Sequence, residues 1–101
     1  MKMFDAYIVG ENANFRKITI PYKHEIKING FLLAVHKRCY DGLPTGPEWD
    51  VSEVTTGGVA YRGNTGLKST IEFAQARLSS IPLDKFHQAI DRMKRQIQAA
   101  V

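Results

Sequence analysis

The sequence predicts one α+β domain, residues 1–101, in which an antiparallel sheet of three to five strands packs against two C-terminal helices. Three observations predict this fold. Two hairpin-like runs cover residues 23–37 and 49–62, and each turns on a glycine. Apolar residues then recur at helical spacing over about residues 66–79 and 82–99. The chain has 101 residues, the length of one domain, and its 44% hydrophobic content is normal for a folded protein.

The first hairpin has the clearest turn in the chain. In HEIKINGFLLAVHK, Asn29-Gly30 supplies the two positive φ angles of a type I′ turn. The pairs predicted from this turn are Ile28–Phe31, Ile26–Leu33 and His24–Val35. One face then carries five apolar residues, which we expect in the core: Ile26, Ile28, Phe31, Leu33 and Val35. The other face mixes charged and apolar residues, and we expect it to be partly covered and partly solvated.

The residues before this hairpin give a weaker pattern. AYIVG, residues 6–10, is consistent with a short strand, and GENAN, residues 10–14, has the composition of a turn. RKITI alternates and places Ile18 and Ile20 on one face. Because Pro21 has no N–H to donate, we expect it to end or offset that strand.

The second hairpin leads into the helices. In WDVSEVT, Trp49 and Val51 alternate with Asp50 and Ser52, TTGG makes a tight turn, and VAYR returns. GNTG breaks the strand and offers Thr65 as the N-cap of the first helix. The apolar stripe of that helix is Leu67, Ile71, Ala74 and Leu78.

Proline separates the two helices. Pro82 restricts Ile81 away from the helical region and suits the first position of the second helix. The stripe predicted for the second helix is Leu83, Phe86, Ile90, Met93 and Ile97.

The segment between the hairpins, CYDGLPTGPE (residues 39–48), contains two glycines and two prolines, so we expect a loop. It is longer than a usual hairpin connection and is our candidate for a protruding binding loop. The apolar anchors that we expect there to contact a protein partner are Tyr40, Leu43, Pro44 and Trp49. Lys37 and Arg38 are the expected charged rim of this surface.

The charge of the chain favours an acidic partner. Fourteen Lys and Arg residues against ten Asp and Glu residues give a formal charge of +4, which excludes an acidic mimic of DNA. Basic residues with interleaved tyrosines are what single-stranded nucleic acids bind. The alternative surface, for nucleic acid, comprises Tyr22, Lys23, Lys27, Lys37 and Arg38.

The sequence contains no convincing catalytic or metal-binding constellation. His36 and Cys39 are spaced as H-x-x-C, but no second ligand pair completes a zinc site. Nothing in the sequence places a base on the Cys39 thiol, so we expect this cysteine to be inert. RGNTGLKST departs from the phosphate-binding G-x-x-x-x-G-K-[ST] motif in its glycine spacing. We therefore expect no enzyme activity, no metal and no cofactor.

Location is predicted from what the sequence contains. A lone cysteine, Cys39, cannot form an internal disulfide, which is typical of intracellular proteins. The N-terminal apolar run is shorter than in signal peptides, and no segment approaches the roughly 20 apolar residues of a membrane span. We expect a protein of the bacterial cytoplasm with no membrane partner, and the sequence leaves a homodimer open.

Residues 49–78 resemble a module of small phage and mobile-element proteins. The pattern is a tryptophan-led strand, a Ser-Glu-Val-Thr-Gly hairpin and a Gly-x-Thr that opens a helix. The residues that carry it here are Trp49, Val51, Ser52, Glu53, Val54, Gly57, Gly63, Thr65 and Ile71. Small phage proteins of this build include many anti-CRISPR proteins, which bind and block a host machine. The resemblance thus implies a non-enzymatic inhibitor of a host protein or ribonucleoprotein complex, such as a CRISPR–Cas complex.

Overall fold

The structure, a computed structural model, describes residues 2–9, 15–40, 43–64 and 66–100. The elements are β1 (Lys2–Val9), β2 (Phe15–Tyr22), β3 (His24–Ile28), β4 (Phe31–Lys37), β5 (Trp49–Glu53), β6 (Val59–Arg62), α1 (Leu67–Ser79) and α2 (Leu83–Ala100). They form two antiparallel sheets and two C-terminal helices. The predicted α+β class is confirmed. No helix in the described part of the chain combines the length and the apolar character needed to cross a membrane.

The larger sheet has the strand order β3-β4-β5-β6, and its first hairpin has the predicted register. Ile28 lies opposite Phe31, and Ile26 lies opposite Leu33. Asn29 and Gly30 have φ angles of 53° and 83°, as a type I′ turn requires. The local sequence therefore determined both the turn and the pairing.

The main core lies between this sheet and the helices. Leu33, Val35 and Val51 are fully buried on the sheet side. The buried helix residues packed against the sheet are Ala74, Leu78, Phe86 and Ile90. Leu83 was expected in the stripe of α2, but it is 54% exposed because it lies at the first position of the helix, ahead of the buried face. The stripe that packs begins at Phe86.

The strands β1 and β2 form a second, two-stranded sheet, with pairs running from Lys2–Tyr22 to Val9–Phe15. Its buried residues Phe4, Ala6, Ile20 and Tyr22 cover Ala34 of β4, on the sheet face that points away from the helices. The four-stranded sheet is therefore covered on both faces. The sequence predicted that this face of the β3–β4 hairpin mixes charged and apolar residues. The β1–β2 hairpin covers Ala34, one of the apolar residues on it.

Pro21 was expected to end or offset its strand, and β2 ends one residue later, at Tyr22, with Pro21 opposite Met3. A two-stranded sheet has a free edge on each strand, and a proline is tolerated where no ladder hydrogen bond is needed. The turn expected at residues 10–14 lies outside the described residues. So does Thr65; the N-cap of α1 is Gly66, which makes no side-chain capping hydrogen bond.

A buried carboxylate organises the turn between β5 and β6. Glu53 has no exposed surface and accepts hydrogen bonds from the backbone amides of Thr55 at 3.0 Å and Thr56 at 2.7 Å. Gly57 follows with a φ of 72° and lies directly against the backbone of β1 at Asp5. This turn therefore connects the two sheets by close packing.

Candidate partner-binding groove

A groove opens at one end of the four-stranded sheet, where β4 ends at Lys37 and β5 begins at Trp49. Lys23 lies beside it and is the only residue between β2 and β3. The cavity measures about 200 Å³. Its accessible walls are Pro21, Lys23, His24, Lys37, Pro44 and Trp49, and the buried residues Tyr22, Val35 and His36 complete the lining. We call this site the Lys23–Trp49 groove.

The groove combines positive charge with an aromatic wall. The Nζ atom of Lys37 lies 4.5 Å from the centre of the Trp49 ring, within cation–π range. The His24 ring meets the same tryptophan edge to face, with centroids 6.2 Å apart. Among the described residues that line the groove, none is acidic. Neither Lys23 nor Lys37 forms an ion pair with another described residue. The groove is therefore suited to an anionic group beside an apolar one.

The connection between β4 and β5 carries the next predicted anchors and is held by backbone hydrogen bonds. The amide of Arg38 donates to the carbonyl oxygen of Glu48, and the amide of Gly46 to that of Arg38, both at 2.9 Å. Tyr40 and Leu43 exchange two backbone bonds of 2.8 and 2.9 Å. The described residues of the connection thus form a loop, as predicted, and Tyr40 and Leu43 form a short ladder within it.

Two large side chains project from this loop, and we call them the loop tip. Tyr40 is 49% exposed and Leu43 is 60% exposed. The Tyr40 hydroxyl donates to a carboxylate oxygen of Glu48 at 3.1 Å, and its ring packs over Gly46. Asp41 and Gly42 lie outside the described residues.

Arg38 was assigned to both predicted surfaces, and the structure places its side chain inward. Its Nε atom donates to Oδ1 of Asp50 at 3.0 Å, and its Nη2 atom donates to the carbonyl oxygen of Gly63 at 2.9 Å. Asp50 is buried and also has Arg62 at 3.7 Å. The hydrogen bond that Arg38 donates to the Asp50 carboxylate raises the pKa of Arg38. Arg38 therefore joins β5 to the residue that follows β6, and its charge is paired with Asp50.

The remaining residues of the nucleic-acid set are dispersed. Tyr22 is only 6% exposed, because its ring packs edge to face on Phe4 in the second core. Lys27 is exposed on β3, outside the groove. Between Lys23 and Lys27 stands Glu25, whose carboxylate binds Lys2 at 2.7 Å. Of that set, the groove contains Tyr22, Lys23 and Lys37.

A buried serine–histidine pair lies between the two sheets, which sequence reasoning missed. His36 Nδ1 is 2.8 Å from the carbonyl oxygen of Lys37, so it carries the proton and donates. Its Nε2 atom, 2.8 Å from Oγ of Ser52, then accepts from that hydroxyl. Burial lowers the pKa of His36, partly offset by that backbone bond and by Asp50. Ser52 is 1% exposed, so a substrate cannot reach the hydroxyl in this conformation. Correct alignment of β4 with β5 would have revealed the pair. In that register His36 lies opposite Asp50, and Ser52 lies two residues further along β5, on the same face of the sheet.

Cys39 lies near this cluster with a protonated thiol. Burial raises its pKa, and the negative charge of Asp50 raises it further. A raised pKa reduces the thiolate fraction, and the thiolate is the nucleophilic form. Among the described residues, no three His, Cys, Asp or Glu side chains are grouped so that they could hold a metal ion.

Comparison of the chain with protein-family models, with curated proteins and with solved structures gave no match.

Proposed function

We propose that this protein is a non-enzymatic binding protein of the phage or mobile-element type, which acts by docking on a host protein or ribonucleoprotein complex. The observation that carries the proposal is the loop tip. Tyr40 and Leu43 are exposed and are joined by two backbone hydrogen bonds, on the loop beside the Lys23–Trp49 groove. The resemblance at residues 49–78 favours inhibition of a defence complex such as CRISPR–Cas.

An exposed apolar pair such as Tyr40 and Leu43, whose backbone is held by hydrogen bonds, suits a protein–protein interface. Aromatic and aliphatic anchors contribute most of the binding energy of protein interfaces. An anchor on a constrained loop loses less conformational entropy on binding than one on a flexible loop. Pro44 and Trp49 line the neighbouring groove, and Tyr40 and Leu43 lie on the same connection between β4 and β5. All four predicted anchors therefore belong to one region of the chain. Such a surface favours a protein partner.

Direct binding of nucleic acid is the alternative, and the geometry favours it less. Stacking on a base requires an accessible ring, and Tyr22 is buried. Tracking a phosphate backbone requires a continuous positive surface, and Glu25 lies between Lys23 and Lys27 in the sequence. Arg38 is committed to Asp50.

The test is affinity purification of the host complex with two matched variants. Leu43→Asp introduces a charge at the loop tip. Leu83→Asp introduces the same charge at a leucine of similar exposure on α2, 54% against 60%. We expect wild type and Leu83→Asp to recover the same host complex, identified by mass spectrometry after nuclease treatment. We expect Leu43→Asp to recover at least about ten-fold less, since a central anchor contributes about 1.4 kcal/mol or more.

Three results would count against the proposal. The first is equal recovery by wild type and Leu43→Asp. The second is a complex that disappears with nuclease, which would indicate the nucleic-acid alternative. The third is that nothing is recovered by the folded wild-type protein.

A further inference from the structure

We propose that the Lys23–Trp49 groove receives an acidic side chain from a peptide segment of the partner, with a neighbouring apolar side chain packed on Trp49. This inference deepens the proposed function and rests on it. It adds the chemical class of the recognised segment and the atoms that select it.

The first step is charge. Lys23 and Lys37 both line a cavity in whose lining the described residues include no carboxylate. Glu25, the nearest acidic residue along β3, is paired with Lys2. Lys37 is held over Trp49 but has no ion-pair partner among the described residues. An aspartate or glutamate from outside would supply the missing negative charge.

The second step is shape and polarity. Trp49 and Pro44 provide an apolar wall, and a volume of about 200 Å³ is small compared with pockets for drug-sized ligands, which are about 300–1,000 Å³. The groove can therefore hold one or two side chains but not a large ligand. A short acidic and apolar segment fits these dimensions and this chemistry.

The third step decides between a peptide and a nucleic acid, which also carries negative charge. A nucleic acid offers a repeating line of phosphates, and its binding requires several cations in a row. Among the described residues, Lys23 and Lys37 are the two lysines that line the groove without an ion pair, and Glu25 follows Lys23 along the chain. Recognition of one or two carboxylates matches this arrangement.

The experiment is selection of a random heptapeptide library, displayed on phage, against the purified chain. The matched variants are Lys23→Gln/Lys37→Gln, which neutralises the groove, and Lys17→Gln/Lys27→Gln, which removes the same charge from exposed positions outside it. Selected peptides are synthesised with Asp and Glu intact or replaced by Asn and Gln. Trp49, the only tryptophan, reports their binding by fluorescence.

We expect wild type to select peptides that contain Asp or Glu beside an apolar residue. Exposed lysine–carboxylate contacts contribute up to about five-fold each, so the Lys23→Gln/Lys37→Gln protein should bind these peptides about ten-fold more weakly. The Lys17→Gln/Lys27→Gln protein should bind them like wild type. The amide versions of the peptides should bind wild type about ten-fold more weakly, and binding should weaken as salt is added.

The inference is overturned if the library yields no enriched peptide, if enriched peptides lack acidic residues, or if both double variants bind them alike. It is also overturned if a ten-residue oligothymidylate changes the Trp49 fluorescence at a lower concentration than any selected peptide. These outcomes are distinguishable from failure of the proposed function. Leu43→Asp tests partner capture through the loop tip, which lies outside the groove lining.

Discussion

At the scale of single residues, two glycines with left-handed backbone make a sharp comparison. Gly30 and Gly57 have φ angles of 83° and 72°, so any other residue is strained at either position. At Gly30 an added Cβ meets open space. At Gly57 it would overlap the carbonyl oxygen of Asp5 and lie 3.0 Å from Cα of Ala6. The second site therefore adds a clash between the two sheets to the backbone strain.

We predict that Gly57→Ala lowers the free energy of unfolding by about 3 kcal/mol or more, and Gly30→Ala by about 1 kcal/mol. Urea denaturation followed by circular dichroism measures both. Equal losses for the two variants would show that β1 is not packed against Gly57 as described.

Residue roles were predictable only where the determining contact is local. The Asn29-Gly30 turn was predicted because its geometry depends on two adjacent residues. The inward position of Arg38 was not predicted, since its partners Asp50 and Gly63 lie 12 and 25 residues further along the chain. The burial of Glu53 depends on amides two and three residues away, but the sequence alternation alone did not show that the turn would fold back onto it.

At the scale of elements, the β1–β2 hairpin is a separate layer held by a small core. Ala34 is fully buried beneath it, in the same cluster as Phe4, Ala6, Ile20 and Tyr22. We predict that Ala34→Leu lifts the hairpin away, because overpacking a filled core costs about 1–3 kcal/mol. Amide hydrogen exchange should accelerate in β1 and β2, while α1 and α2 change little.

The control for Ala34→Leu makes the same change on an exposed surface. Ala76 is exposed on α1, so Ala76→Leu should leave exchange in β1 and β2 as in wild type. If Ala34→Leu also leaves those strands unchanged, the hairpin does not pack on β4 through this position.

The β3–β4 and β5–β6 hairpins and both helices could be predicted because periodicity and turns are local signals. The placement of β1–β2 could not, because it depends on contacts between distant segments. The mixed face of β4 indicated partial cover but did not identify what provides it. The full length of β2 was missed because a proline is rare inside a strand. β2 belongs to a two-stranded sheet, and a proline is tolerated at the free edge of such a sheet.

At the scale of the whole molecule, burial of His36 links stability to pH. The folded state holds the pKa of this imidazole below its usual value of about 6.5, mainly by burial. Below that pH the unfolded chain therefore binds more protons than the folded protein, and stability falls as pH falls. Asp50, opposite His36 in the ladder, opposes this effect by favouring the charged ring.

We predict that wild type loses more free energy of unfolding between about pH 7 and about pH 5 than His36→Gln does. Denaturation curves at a series of pH values measure the difference. Parallel pH profiles for the two proteins would remove His36 as the cause of acid sensitivity.

The sequence identified four residues of the candidate site but not that they line one groove. Lys37, Pro44 and Trp49 were proposed for a protein surface and Lys23 for a nucleic-acid surface, yet all four line one groove. Their convergence depends on the pairing of β4 with β5, in which Lys37 lies opposite Trp49. It also depends on where the chain passes from one sheet to the other, which no local pattern indicates.

That passage consists of one residue. Lys23 alone connects β2 to β3, so the groove has one wall from each sheet and exists only while the hairpin is docked. A ligand that binds there must bind the docked form in preference to the undocked one. By mass action, such a ligand also stabilises the docked arrangement of the layers. Ligand binding in the groove and docking of the β1–β2 hairpin therefore stabilise each other.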